Sequence, residues 1–102
     1  MNKLDLLSLG AKPKLVEIKS IGQSLLLKEL SYKGVIEVAQ CTNAIDRALY
    51  TLIYSVCDED GKLVFTVDDK EDIANTFTFA QIQEIAFEAS NLTQVSSNST
   101  VK

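Results

Sequence analysis

The sequence predicts an α+β fold that is mostly α, with an N-terminal β-hairpin packed on a small bundle of about four helices and a flexible C-terminal tail. Three observations predict it. Apolar and β-branched residues alternate between residues 14 and 27. Residues 45–57 are apolar at helical spacing, and two later stretches open with helix-capping signatures. In 102 residues these features indicate one domain, residues 1–92, followed by a disordered tail at 93–102.

The first segment, residues 1–13, is short and rich in leucine. Leu4 and Leu7 can share one face of a helix, but a helix this short is marginal in water unless it docks on something. Gly10 and Pro13 then end the apolar run, so we expect a mobile segment. Asp5 interrupts that run, which argues against a secretory signal peptide.

The hairpin is predicted from Val16, Ile18 and Ile21 on one side of a loop and residues 25–27 on the other. Residues 20–24 form the predicted loop. Because an isolated two-stranded hairpin is barely stable, its apolar side must lie on the helices.

A helix over residues 32–41 follows, with Ser31 as its N-cap. Gly34 weakens this prediction, since glycine is a poor helix former. Thr42 and Asn43 end this helix and cap the next one. Its apolar residues are Val35, Ile36, Val38 and Ala39.

The central helix is predicted over residues 45–57, and the rest of the chain is expected to pack around it. Its core-facing stripe consists of Ile45, Leu49, Leu52 and Val56, flanked by Ala48 and Ile53. Tyr50, Tyr54 and Cys57 form a second apolar strip roughly opposite the first. We expect the acidic residues 58–60 and Gly61 to stop the helix.

Two shorter capping signatures define the C-terminal part. Thr66 with Asp69 opens a short acidic helix that ends near Asn75 or Thr76, and Thr78 with Gln81 opens the last helix. The expected core stripe of this last helix is Phe79, Ile82, Ile85, Ala86, Ala89 and Leu92. Phe87 points to a different side.

The residue types exclude most chemistry. The chain has no histidine, and Cys41 and Cys57 are too far apart for a CxxC site. A calcium loop with Gly61 at its sixth position would need ligands at Val56 and Val67, which valine cannot supply. We therefore predict no catalytic residue, no metal site and no cofactor.

Composition restricts the partners further. The net charge is −4 and there is no basic cluster, so nucleic acid is a poor partner, and no apolar run is long enough to span a membrane. Residues 1–40 carry a net charge of +2 and residues 41–102 carry −6. Like molecules could stack positive end to negative end, but a merely solvated surface also explains this asymmetry. Because neither a signal peptide nor a membrane span is predicted, we expect a cytosolic chain, in which Cys41 and Cys57 stay reduced.

The order of the segments resembles that of the tail assembly chaperones of long-tailed bacteriophages. The resemblance covers about residues 12–93 and includes LVEIKSIG, a second strand, a helix, and the stretch ALYTLIYSVCDEDGKLVFT. Its most specific part is residues 52–66, where a hydrophobic helix is followed by an Asp-Glu-Asp-Gly-Lys turn and a short apolar segment with Phe65. The closing EASNLT resembles the end of the family's last helix.

This resemblance implies a protein without enzymatic activity that acts in the cytoplasm of the host cell. Such a chaperone binds the tape measure protein, keeps it soluble, helps recruit tail tube subunits and is absent from the mature virion. Two alternatives remain open from the sequence: a tail completion or connector subunit that stays in the virion, or a small adaptor or inhibitor directed at a host factor.

A chaperone of an amphipathic helix needs apolar surface beyond its own core. The candidate partner-binding residues are Tyr50, Tyr54 and Phe87, with Leu4 and Leu7 as a mobile flap. Tyrosine suits this role because it combines apolar area with a polar tip. The alternative is that Tyr50 and Tyr54 only pack under the hairpin.

Overall fold

A computed structural model describes residues 2–101, with side chains described as far as Leu92. It has a β-hairpin and five helices, which confirms the predicted α+β, mostly α class. The side chains of residues 93–102 are not among those described, so the predicted tail there stays a prediction. The elements are α1 (Lys3–Leu7), β1 (Lys14–Ile18), β2 (Gln23–Leu27), α2 (Tyr32–Ala39), α3 (Ala44–Ser55), a 3-10 turn (Val67–Asp69), α4 (Lys70–Thr76) and α5 (Phe79–Val101).

The hairpin pairs β1 and β2 in antiparallel register, with Lys14 opposite Leu27 and Ile18 opposite Gln23. Gly22 has a φ of 81° in the loop, a conformation that glycine adopts at little cost. Ile18 and Leu27 are fully buried in the core. The hairpin therefore lies with one side on the helices, as the instability of an isolated hairpin requires.

Helix α2 approaches α3 at a glycine. Ser31 caps the helix as predicted, because its hydroxyl accepts a hydrogen bond from the Gly34 amide at 3.1 Å. Gly34 is the buried residue of α2, and a Cβ built there would lie 3.0 Å from the Tyr54 Cβ. The glycine that weakens the helix by propensity thus permits the close contact, while Val35 and Ile36 remain exposed.

Helix α3 ends at Ser55, so the predicted extension to Cys57 was wrong. At this point the backbone forms hydrogen bonds with β2 and the residue after it. The Ser55 carbonyl accepts from the Lys28 amide at 2.9 Å, and the Cys57 amide donates to the Leu26 carbonyl at 3.0 Å. Val56 and Cys57 are extended, with isolated bridges to Leu27 and Leu63. Cys57 therefore does not continue a helical strip with the two tyrosines.

The predicted core stripe of α3 is confirmed except at its start. Leu49, Leu52 and Val56 are buried, as are the flanking Ala48 and Ile53. Ile45 is 63% exposed, so its assignment to the core was wrong. It lies in the first turn, and the buried residues of this helix begin only at Ala48.

The acidic turn after α3 joins two extended segments and does not end a helix, which corrects the prediction. The Asp58 Oδ1 atom accepts from the amides of Asp60 and Lys62 at 2.9 and 3.0 Å. Gly61 has a φ of 83°. The Asp58 carboxylate therefore accepts hydrogen bonds from backbone amides of its own turn.

Both C-terminal capping signatures are confirmed. Thr66 and Asp69 form a capping box, and Thr78 and Gln81 exchange reciprocal hydrogen bonds at 2.9 and 3.1 Å. In α5, Ile85, Ala86 and Ala89 are buried, but Phe79 is 64% exposed and was wrongly assigned to the core. Phe77, two residues earlier, packs against the core instead.

One core joins the hairpin, α3, α4 and α5, and its buried members are Ile18, Leu27, Leu49, Leu52, Ile53, Val56, Ile73 and Ile85. Glu84 of α5 also holds the hairpin loop, accepting from Lys19 N at 2.7 Å and Ser20 N at 2.9 Å. Across the described residues, every helix is too short or too polar to span a bilayer.

Candidate partner-binding surface

The described part of the chain leaves many large apolar side chains in contact with solvent. Scattered exposed apolar residues are normal, but several of these are adjacent in sequence on the same short helix. They are Leu4, Leu6, Leu7, Leu9, Leu15, Tyr32, Val35, Ile36, Ile45, Val64, Val67, Phe79 and Phe87.

The predicted flap residues lie on α1. Leu4 is 76% exposed and Leu7 is 69% exposed. Between residues 7–13 and the start of α2 lies a cavity of about 780 Å³ whose lining includes Leu7, Pro13 and Tyr32. Both leucines therefore offer exposed apolar area, and Leu7 does so beside this open space.

The two tyrosines are half-buried, and their described contacts involve helices. The Lys70 ammonium lies 5.4 Å from the centre of the Tyr50 ring, a cation–π distance. Tyr54 packs against Gly34 of α2 and against the core. Tyr54 thus has a packing role under α2, and each tyrosine stays partly accessible.

Phe87 lies beside a groove between α3 and α5. The groove has a volume of about 360 Å³, and we call it the Phe87 groove. Its lining residues are Val38, Arg47, Ala48, Thr51, Gln83, Ala86, Phe87 and Ser90.

The structure does not gather the five candidate residues into one cavity. Leu7 lines the space next to α2, Tyr54 lines a cavity with Lys33 and Phe65, and Phe87 lines its own groove. Arg47 also lines the Phe87 groove, and it was not predicted to be part of a binding surface. The spacing of Gln83, Phe87 and Ser90, at i, i+4 and i+7, was the signal that could have revealed this groove.

Two observations on the described side chains concern metal binding and the reactivity of a cysteine. Within them there is no group of three or more histidine, cysteine or acidic residues that could hold a metal ion. Burial raises the pKa of the Cys57 thiol, with a smaller opposing effect from the Lys28 charge. A thiol held in its protonated form is a poor nucleophile.

The sequence matches no protein-family model and no curated protein. Among solved structures, it is similar to the bacteriophage HK97 tail assembly chaperone, with a TM-score of 0.66. The two share 19% sequence identity over 90% of this chain and 98% of that one. The likeness extends over nearly the whole domain, and the chain has the fold of the HK97 tail assembly chaperone.

Proposed function

We propose that this protein is a bacteriophage tail assembly chaperone that binds the tape measure protein, keeps it soluble and helps recruit tail tube subunits. It acts in the host cytoplasm without cofactor or catalytic activity and is absent from the mature virion. The observation that carries this proposal is the fold, shared with the HK97 chaperone over 90% of the chain.

The exposed apolar surface supports the proposal physically. A long amphipathic helix aggregates through its apolar face unless another surface covers that face. Burial of apolar area stabilises such a complex by roughly 25 cal/mol per Å² before the costs of association. Leu4, Leu7 and Phe87 supply exposed area, and Tyr50 and Tyr54 are partly accessible.

The direct test is co-expression with the tape measure protein encoded by the same phage. We expect more soluble tape measure protein in the presence of the chaperone, and co-purification of the two. An equally insoluble tape measure protein with and without the chaperone would contradict the proposal. A variant carrying Leu4→Ser and Leu7→Ser should fold normally, because both side chains are exposed, but it should retain less tape measure protein in co-purification.

Mass spectrometry of purified virions distinguishes the proposal from a structural tail subunit. A chaperone should be absent from the particles, whereas a completion or connector subunit should be present in stoichiometric amounts. A pull-down from uninfected host cells addresses the third possibility, since an adaptor directed at the host should retain a host protein there.

A further inference from the structure

The Phe87 groove has a floor of small, buried residues. Ala48, Thr51 and Ala86 are each less than 10% exposed. The Thr51 hydroxyl donates to the Arg47 carbonyl at 2.7 Å, so its hydrogen-bonding need is already met within α3. An apolar group can therefore cover this floor without leaving that hydroxyl unsatisfied.

The rim of the groove combines an aromatic ring with a cation. Phe87 is 63% exposed on α5, and Arg47 is exposed on α3. Within the described residues, the Arg47 side chain has no hydrogen bond or ion pair. Aromatic residues and arginine are the types that most often contribute strongly to protein interfaces.

Charge points to the chemistry of the occupant. Arg47 is the sole arginine of the sequence, in a region, residues 41–102, whose net charge is −6. Its planar guanidinium matches a carboxylate in two-point geometry. A partner approaching Phe87 therefore gains from a carboxylate placed opposite Arg47.

The shape of the groove fits an α-helix as the bound segment of the partner. It runs between two helices, and its α5 wall extends over Gln83, Ala86, Phe87 and Ser90, about 10 Å or two helical turns. Small residues on a groove floor allow the backbone of another helix to approach closely. Two turns of a helix present apolar residues at i, i+3, i+4 and i+7 on one face.

We infer that the Phe87 groove seats an amphipathic α-helix of the client, with its apolar face over Ala48 and Ala86 and an Asp or Glu within one turn paired with Arg47. This inference rests on the proposed function, since the client is the tape measure protein. It adds which surface binds and which client residues are recognised.

Matched variants test the groove. Phe87→Ser should lower the client retained in co-purification on the order of thirtyfold, the loss typical of a truncated interface anchor. Phe79→Ser is the control, because Phe79 is 64% exposed on the same helix and does not line the groove. Equal losses for the two variants, both with wild-type circular dichroism, would overturn the inference.

A charge series tests the second element. Arg47→Glu should reduce retention more than Lys14→Glu, which makes the same change in charge at the exposed first residue of β1. Replacing the acidic residue of the bound client segment by lysine should restore binding to Arg47→Glu. No difference between the two reversals would contradict the proposed carboxylate contact.

Photocrosslinking identifies the occupant directly. With Phe87→benzoylphenylalanine in the full-length chain, crosslinks should fall in client segments that carry Asp or Glu within one helical turn of the crosslinked residue. Crosslinks to a second copy of this chain, or to client segments without an acid, would overturn the inference. If the wild type and the Phe87 and Arg47 variants all retain the same amount of tape measure protein, the inference about the groove is wrong but the proposed function stands. A wild-type chain that retains none contradicts the proposed function.

Discussion

Two leucine-rich stretches of this chain have opposite environments. In β2, Leu25 and Leu26 are half-buried and Leu27 is fully buried, whereas Leu4 and Leu7 of α1 are mostly exposed. The difference lies in the backbone. β2 pairs with β1, and its Leu26 carbonyl accepts a hydrogen bond from the Cys57 amide. The described hydrogen bonds of α1 and its flanks join only residues no more than four positions apart. Leucine content alone therefore does not determine burial, and backbone bonds to distant residues determine which stretch enters the core.

The largest expected effect tests this contrast directly. Leu27→Ala should lower the free energy of unfolding by about 2–5 kcal/mol, because it opens a cavity in the hydrophobic core, where Leu27 is fully buried. Leu4→Ala should change it by less than about 0.5 kcal/mol, since its side chain already faces water. Urea denaturation of both variants measures the difference. A comparable loss for Leu4→Ala would mean that α1 docks on the domain in solution.

The contact between α2 and α3 gives the next largest effect. Gly34→Ala would place a Cβ 3.0 Å from the Tyr54 Cβ and 3.2 Å from its Cγ, so the two helices must separate slightly. Overpacking typically costs about 1–3 kcal/mol, and the better helix propensity of alanine offsets up to about 1 kcal/mol. We expect a net destabilisation of up to about 2 kcal/mol by urea denaturation.

Gly10→Ala is the matched control for that prediction. A Cβ at this position would meet nothing closer than the Leu7 carbonyl at 3.8 Å. Its stability should equal that of the wild type. A stabilised Gly34→Ala variant would show that α2 moves away from Tyr54 without cost.

The sequence predicted local features well because their signals lie within a few residues of each other. The caps at Ser31, Asn43 and Thr66 each bind backbone or side-chain groups three positions away. The hairpin was equally accessible, since alternation and a glycine loop mark both strands. The contacts of Gly34 with Tyr54 and of Glu84 with the hairpin loop join distant residues, and no local pattern encodes them.

Helical periodicity also has a physical limit that explains the two core errors. A stripe indicates which face of a helix is apolar, but it does not indicate where neighbouring elements begin to cover that face. Ile45 and Phe79 both lie in the first turns of their helices and remain exposed. For the candidate surface, the sequence identified Phe87 as pointing away from the core, but the groove between α3 and α5 required the tertiary structure.

Two asparagine caps of the same local geometry give a smaller and sharper comparison. Asn43 Oδ1 accepts from Asp46 N at 2.8 Å in α3, and Asn2 Oδ1 accepts from Asp5 N at 2.9 Å in α1. Removal of a side-chain N-cap typically costs about 1 kcal/mol. We expect that loss for Asn43→Ala in urea denaturation and none for Asn2→Ala, because the latter helix has no described bond to the core.

The same pair of variants also reports on local order. Asn2→Ala should accelerate amide hydrogen exchange in residues 5–9 while the core amides keep their protection. A global loss of stability from Asn2→Ala would contradict the independence of α1 from the rest of the domain.

The smallest expected effect concerns the contact that joins the hairpin loop to α5. The hydrogen bonds that Ser20 donates to the Glu84 carboxylate, together with that from the Lys19 amide, hold the pKa of Glu84 below its ordinary value of 4.5. A carboxyl whose pKa is lower in the folded state stabilises the fold above its unfolded pKa, and this contribution disappears as the pH falls through the folded pKa.

Glu84→Gln should therefore be less stable than the wild type at pH 7. The two proteins should converge in acid, because a protonated Glu84 is neutral like glutamine. Urea midpoints measured from pH 7 downward check this, with Glu88→Gln on the same helix as the control for the same change of side chain away from the hairpin loop. A constant gap between the wild type and Glu84→Gln at every pH would mean that the shape of the side chain, and not its charge, holds the loop.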